Sequence, residues 1–245
     1  MRLFVGDGDF HAIGQEFLEH FVHIAALQPD DRVLDIGCGI GRMARVLVPV
    51  LRPPGSYTGF DINPAAIDWC SHRYRNTPAT FSFHSVDVRN GFYNPDGHFA
   101  PSEFAFPYAT GAFDLAIATS VFTHLLPDAA ARYLSETARV LRPGGRLFST
   151  WFITGAGSPE TGPFSSATEV DGTHVTDASA PEAAIAYTGD RVRALLSDAE
   201  LTLAAEQPGT WSGGEGTSYQ NIVLAIRDGD AVAVTQQSNL PSEDA

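Results

Sequence analysis

Apolar residues recur along this chain with two alternating periods. Ile13, Phe17, Leu18, Phe21, Val22, Ile24 and Leu27 stand at roughly helical spacing and predict a helix over 11–27. Short apolar runs bounded by Gly, Pro, Asn or Asp then predict buried strands near 32–37, 56–61, 80–85, 113–118 and 145–152. Helical stretches near 41–50, 64–75 and 127–140 alternate with them, the second opened by Asn63-Pro64. A helix near 189–198 precedes two last strands, near 201–207 and 219–227. Such alternation, joined by right-handed crossovers, builds an α/β fold: an open, mostly parallel sheet with helices on both faces. No internal repeat is apparent. Residues 229–245 are polar and predict a loose tail after a single domain over 1–228, with Ala231-Val232-Ala233-Val234 as the stretch able to dock.

The first strand carries the densest chemistry. Val33-Leu34-Asp35-Ile36 runs into Gly37-Cys38-Gly39-Ile40-Gly41-Arg42, an acid-tipped strand, a glycine hinge and a helix start. Glycines at alternate positions let backbone approach a ligand where any Cβ would collide. The N–H groups that open the next helix point at the same spot. Two ligand classes fit. Gly39-Ile40-Gly41-Arg42-Met43-Ala44 matches the dinucleotide pattern G-x-G-x-x-A. A pyrophosphate beside Asp35 is repelled by it, whereas a ligand carrying an ammonium and a sulfonium is attracted. The acid therefore favours S-adenosylmethionine. Cys38, between the motif glycines, reads as a small packed residue and not as a nucleophile.

From this motif onward the sequence resembles the class I S-adenosylmethionine-dependent methyltransferases, in order along about residues 10–227. The family's first motif corresponds to 33–41. Asp61, in Gly59-Phe60-Asp61-Ile62, corresponds to the acid that holds the ribose hydroxyls, and Ile62 to the apolar residue on adenine. Asp61 equally fits an Asx-type cap before Asn63-Pro64, and both roles are compatible. Asp87-Val88 corresponds to the adenine-contacting end of the third strand. Thr119-Ser120-Val121-Phe122-Thr123-His124-Leu125 looks like the loop lining the site after the fourth strand, and Arg139-Val140-Leu141-Arg142-Pro143-Gly144-Gly145-Arg146-Leu147 like the family's helix–turn–strand passage. The resemblance implies a Rossmann-like fold with a seven-stranded, mostly parallel sheet and an antiparallel final strand. It implies S-adenosyl-L-methionine as cofactor, held by Asp35, Gly37, Cys38, Gly39, Gly41, Arg42, Asp61, Ile62, Asp87, Val88 and Ser120.

Composition narrows the partners. The chain has 245 residues, 44% hydrophobic and 18% charged, enough for one domain with a sizeable core. A net charge of −14, with Arg as the sole cationic residue besides His, argues against a nucleic-acid substrate. The absence of Lys excludes a Schiff-base or P-loop lysine. Cys38 and Cys70 make no disulfide framework, so a reduced cytoplasm is the expected compartment. Residues 1–9 lack the apolar core of a signal peptide, and no run approaches the roughly 20 apolar residues of a membrane helix. No metal-ligand spacing is present, so no metal is expected. Nothing in the sequence separates a monomer from a homodimer.

Two segments exceed a minimal domain and are expected to bind the small-molecule acceptor. Segment 86–112 is dense in aromatics, among them Tyr93, Phe99, Phe104, Phe106 and Tyr108; loops this long usually serve a function. Segment 153–188 is rich in Gly, Ser and Thr, carries Glu160, Glu169, Asp171, Asp177 and Glu182, and reads as a lid, with a disordered insertion as the alternative. Methyl transfer from a sulfonium is governed by alignment, and a general base serves when the acceptor is a hydroxyl or a protonated amine. His124 is the first candidate base, unless it merely caps or packs against the following helix. His174, Tyr108, Trp211 and Tyr219 are candidates for the acceptor pocket, core packing being the alternative for the last two. The expected reaction is O-methylation of a natural product or sugar-like metabolite. The alternatives are N-methylation, S-adenosylmethionine binding without catalysis, and a nicotinamide-dependent oxidoreductase.

Overall fold

The computed structural model describes residues 8–155, 163–164, 167–170 and 172–229; the tail expected beyond Gly229 lies outside them. Asp9 caps the first helix, its carboxylate accepting from the amides of His11 and Ala12, and α1 runs Phe10–His23. It ends four residues before the predicted boundary, where Ala26 takes a left-handed conformation. β1 (Arg32–Ile36), α2 (Arg42–Leu47), β2 (Ser56–Asp61), α3 (Pro64–Arg73), β3 (Thr80–Ser85), β4 (Phe113–Ala118) and α4 (Pro127–Val140) follow in the predicted alternation. β5 (Leu141–Thr154), β6 (Thr168–Val170), β7 (Thr173–Val175), β8 (Ile185–Thr188), α5 (Gly189–Asp198), β9 (Leu201–Gln207) and β10 (Asn221–Arg227) complete the described chain.

The central sheet has the order β3-β2-β1-β4-β5-β10-β9. The first five strands are parallel, and β10 alone runs against its neighbours. This is the expected seven-stranded arrangement with its reversed final strand. Strand pleating sends alternate residues to opposite faces. Val33, Leu115, Ile117 and Phe148 join Phe17, Phe21, Met43, Leu47 and Cys70 beneath α1–α3. Leu34, Ile36, Ala116, Ala118 and Leu147 join Ala130, Leu134, Leu195 and Leu196 beneath α4 and α5. Helices therefore cover both faces.

Two features differ from the sequence reading. Pro143-Gly144-Gly145 is not a turn before β5 but an irregularity inside it: Phe113 pairs with Leu141 and Leu115 with Arg146, so β5 takes in extra residues there, with Gly144 at φ +71°. The described part of 153–188 folds onto the sheet. β8 pairs parallel with the far end of β5, and β7 and β6 add antiparallel strands beyond it. β5 thus pairs with β10 over its middle and with β8 over its last three residues.

Candidate functional site

The carboxyl ends of β1, β2 and β4 open onto a cavity of about 830 Å³, within the range of small-ligand sites. One side is built from the glycine turn. Gly37, Cys38 and Gly39 line it with backbone, and Arg42 from α2 joins them. Gly37 stands at φ +69°, and a Cβ there would sit 2.7 Å from Val121 Cγ2, so the turn and the post-β4 loop meet at a distance only glycine permits. The Arg42 guanidinium lies 5.7 Å above the Phe10 ring, and burial pulls its pKa down.

Asp61 stands at the tip of β2. Its Oδ2 accepts from the Gly39 amide at 2.8 Å and its Oδ1 from the Asn63 amide at 2.8 Å. The carboxylate thus pins the glycine turn and starts α3 while facing the cavity. Burial raises its pKa, opposed by the amides of Asn63, Gly39 and Ile62. Ile62 and Val88 flank it on the wall, forming an apolar slot beside an acid.

Asp35 is placed otherwise than the strand-tip argument expected. It shares a pleat face with Val33, so its side chain points beneath α1–α3 and does not reach the cavity. The residue is fully buried, its Oδ2 accepts the Tyr57 hydroxyl, and its Oδ1 has no hydrogen-bond partner among the described residues. Burial lifts its pKa from 3.8 to about 7; the Tyr57 hydrogen bond opposes this, and the Asp61 charge adds to it. Among the described residues the acids on the cavity wall are Asp61 and Glu16, the latter from α1. Glu16 accepts from the Ser218 hydroxyl at 2.6 Å, which ties α1 to the β9–β10 loop.

The post-β4 loop forms the far side. Ser120 adopts φ +58°, a strained value for a residue with a side chain. Its amide donates to Thr150 Oγ1 and its hydroxyl to Gln220 Oε1, which fixes that conformation. Phe122 stacks on Trp151 at 4.2 Å, and the Tyr187 hydroxyl donates to the Leu125 carbonyl, so His124 stands on a rigid bracket. His124 Nδ1 lies 2.9 Å from the Glu182 carbonyl oxygen. A carbonyl only accepts, so Nδ1 carries the proton and Nε2 keeps a lone pair. Nε2 lies 3.5 Å from the Tyr93 hydroxyl. Burial pulls the imidazole pKa below 6.5 against the raising effect of the Glu182 and Ala183 backbone, leaving the ring neutral near pH 7.

Aromatic side chains line the same cavity as His124. Tyr93, Phe152, Phe164 and Tyr219 line it, Tyr219 with 58% of its surface exposed. Trp211 stands behind them: it is buried against Phe152 and Phe164, and its Nε1 donates to Asn221 Oδ1 at 2.7 Å. Four other expected residues lie off the cavity. Tyr108 packs on Phe60 and Phe113 and hydrogen-bonds His84. Asp87 is exposed, its neighbour Val88 taking the wall position. His174 sits within β7, opposite Ala186, with Nδ1 buried and unpartnered among the described residues. Gly41 caps α2 at φ +73° behind the wall, its position closed by Tyr74 and Cys70.

Glu16, Asn90, Tyr93, Phe152, Phe164 and Gln220 were not singled out by the sequence. Tyr93 had a signal in the aromatic density of 86–112, and Gln220 adjoins Tyr219; Glu16 had none. Among the described residues no group of three or more side chains could hold a metal ion, and no helix is long and apolar enough to cross a membrane.

Residues 34–149 match the family model for the methyltransferase domain. A phthiotriol/phenolphthiotriol dimycocerosates methyltransferase of Mycobacterium ulcerans is 34% identical over 138 residues, covering 52% of this chain and 44% of that protein. A fatty-acid O-methyltransferase of Mycolicibacterium smegmatis is 34% identical over 131 residues, covering 52% of this chain and 40% of that protein. The chain thus spans less than half the length of these curated relatives. The crystal structure of a SAM-dependent methyltransferase from Methanosarcina mazei superposes with a TM-score of 0.59 at 22% identity, over 83% of this chain and 95% of that one, and shows the same fold.

Proposed function

We propose that this chain, which belongs to the class I S-adenosylmethionine-dependent methyltransferase family, moves a methyl group from S-adenosylmethionine to a hydroxyl of a small acceptor with an apolar body. The observation that carries this is the neutral imidazole of His124, its proton held on Nδ1 by Glu182 and its Nε2 turned to an aromatic chamber at the end of a nucleotide-sized cleft. The residues present fit the cofactor. Asp61 would hold the ribose hydroxyls, Ile62 and Val88 would flank the adenine, and the bare backbone at Gly37 and Gly39 leaves room against the wall. Glu16 is the wall acid available to a cationic ligand in place of Asp35.

When bound, the cofactor supplies a methyl on a positively charged sulfur with a neutral thioether as leaving group. The chain's own work is alignment, exclusion of water and proton removal. Tyr93, Phe152 and Phe164 exclude water and orient the acceptor; such positioning supplies on the order of 7–11 kcal/mol. His124 Nε2 takes the hydroxyl proton as the oxygen becomes a nucleophile, worth about a hundred- to ten-thousand-fold. A relative named for fatty-acid O-methylation is in keeping with an oxygen acceptor.

Calorimetry with S-adenosylhomocysteine and with a nicotinamide dinucleotide, followed by transfer of labelled methyl to a panel of hydroxyl and amine acceptors, tests this. Binding of the first ligand and label on hydroxylated acceptors is expected. Tight binding of the dinucleotide alone removes the family's chemistry, label confined to amines moves the reaction to nitrogen, and binding without any turnover points to a non-catalytic binder.

A further inference from the structure

Glu182 stands where three parts of the acceptor chamber meet. It lies in the short 3-10 turn Pro181–Ala183 between β7 and β8, and the next two residues, Ala183 and Ala184, line the cavity. Its backbone oxygen holds His124 Nδ1 at 2.9 Å. Its side-chain Oε2 accepts from the Gly91 amide, in the long loop that supplies Tyr93. A Cβ on Gly91 would approach that oxygen to 2.6 Å, so the contact in this geometry needs glycine at position 91. Asn90, one residue before, completes the junction. Its Oδ1 accepts from the Phe92 and Tyr93 amides at 3.1 and 2.9 Å, and its Nδ2 donates to the His124 carbonyl at 3.2 Å. The same Glu182 and Gly91 line a second, smaller groove that shares Arg89 and Pro101 with the main cavity.

We propose that Glu182 is a positioning residue that couples the Tyr93 loop to His124 and so sets acceptor alignment, an inference that rests on the reading of His124 as the base. One residue fixes the base through its main chain and the facing wall through its carboxylate. The two sides of the chamber, lying 91 and 58 residues before Glu182 in the sequence, thereby hold a common geometry. Among the described residues the hydrogen bonds of Glu182 go to Gly91 and His124 and none to the glycine turn or Asp61, so loss of its side chain is expected to act on the acceptor side. Glutamine retains an oxygen that accepts from the Gly91 amide, whereas alanine does not.

The test compares Glu182→Ala and Glu182→Gln with the parent. Hydrogen exchange at the amides of 91–93 reads the coupling directly and needs no turnover. The alanine variant is expected to exchange there about tenfold faster, the size of one lost hydrogen bond, and the glutamine variant, which keeps a neutral acceptor, to stay closer to the parent than to alanine. In methyl transfer the alanine variant is expected to raise acceptor KM and lower kcat, with S-adenosylhomocysteine affinity within about twofold of parent. Equal exchange protection in all three proteins overturns the proposal, as does a rise in KM that glutamine fails to restore. A parent that binds S-adenosylhomocysteine but methylates no hydroxylated acceptor instead removes the proposed reaction, while the exchange comparison still decides the coupling.

Discussion

Replacing Asp35 by Asn probes the least expected group beneath the glycine turn. In the fold the carboxyl is sealed from water with one oxygen on Tyr57 and the other without a partner among the described residues, and its pKa is lifted from 3.8 to about 7. The sign follows from proton linkage. At low pH both folded and unfolded chains hold the proton; as pH rises through the unfolded value, the unfolded chain releases it and the folded chain does not, so stability falls until about pH 7. About three pH units at about 1.4 kcal/mol each give a loss of as much as about 4 kcal/mol. Asparagine cannot titrate, so its variant escapes this loss. It does bury an amide group at the unpartnered oxygen's position, a pH-independent cost of about 1–3 kcal/mol. Urea unfolding, followed by tryptophan fluorescence from about pH 4.5 to about pH 8, measures both. Taking the difference between variant and parent cancels the titration of every other carboxylate. The variant is expected to be weaker at the acid end and to gain on the parent steadily toward the alkaline end. A difference that stays constant across that range refutes the reasoning.

Three further outcomes are expected. His124→Ala lowers kcat by about a hundredfold or more while S-adenosylhomocysteine affinity stays near parent, and it abolishes the acid limb of the rate profile, which in the parent lies below pH 6.5 because the base works only when deprotonated. Asp61→Ala weakens S-adenosylhomocysteine by at least about tenfold in calorimetry, since it deletes a charged acceptor and unpairs the Gly39 and Asn63 amides. Gly37→Ala costs about 1–3 kcal/mol in thermal or urea unfolding from its left-handed backbone and its collision with Val121; adding Val121→Ala restores the steric part only.

The sheet was legible because its strands are short apolar runs punctuated by Gly, Pro and Asp, and because each helix start carries its own cap, as at Asn63-Pro64. Asp61 was legible for a similar reason: its position at a strand tip before Asn63 fixes where the carboxylate goes. Asp35 was misplaced because the side to which a strand residue points depends on its partner strand. Tyr57 and the pleat settled it, and neither is local in sequence. The aromatic density of 86–112 signalled a function for the loop without assigning faces. Phe104, Phe106 and Tyr108 went inward to pack on Phe60, Phe113 and Tyr133, and Tyr93 turned to the cavity. Glu16 sits on a helix whose apolar stripe gave no reason to single out one half-buried acid. Glu182 was visible only as one of several acids in a Gly-, Ser- and Thr-rich stretch; its importance comes from a contact 91 positions away. Trp211 supports Phe152 from behind, a relation that composition cannot express.

β5 outlasts its own sheet: after leaving β10 it continues into β8, so one strand serves two neighbours in succession. Evolution or an engineer can therefore treat the stretch between Thr154 and Ile185, the Glu182 contacts to His124 and Gly91 excepted, as an exchangeable cassette, spliced to a strand whose register is already locked by β4 and β10 upstream. Swapping that cassette between relatives ought to redraw which molecules are admitted while leaving nucleoside recognition intact, and the three-residue parallel seam at Phe152–Ala186 is the joint any such graft must preserve.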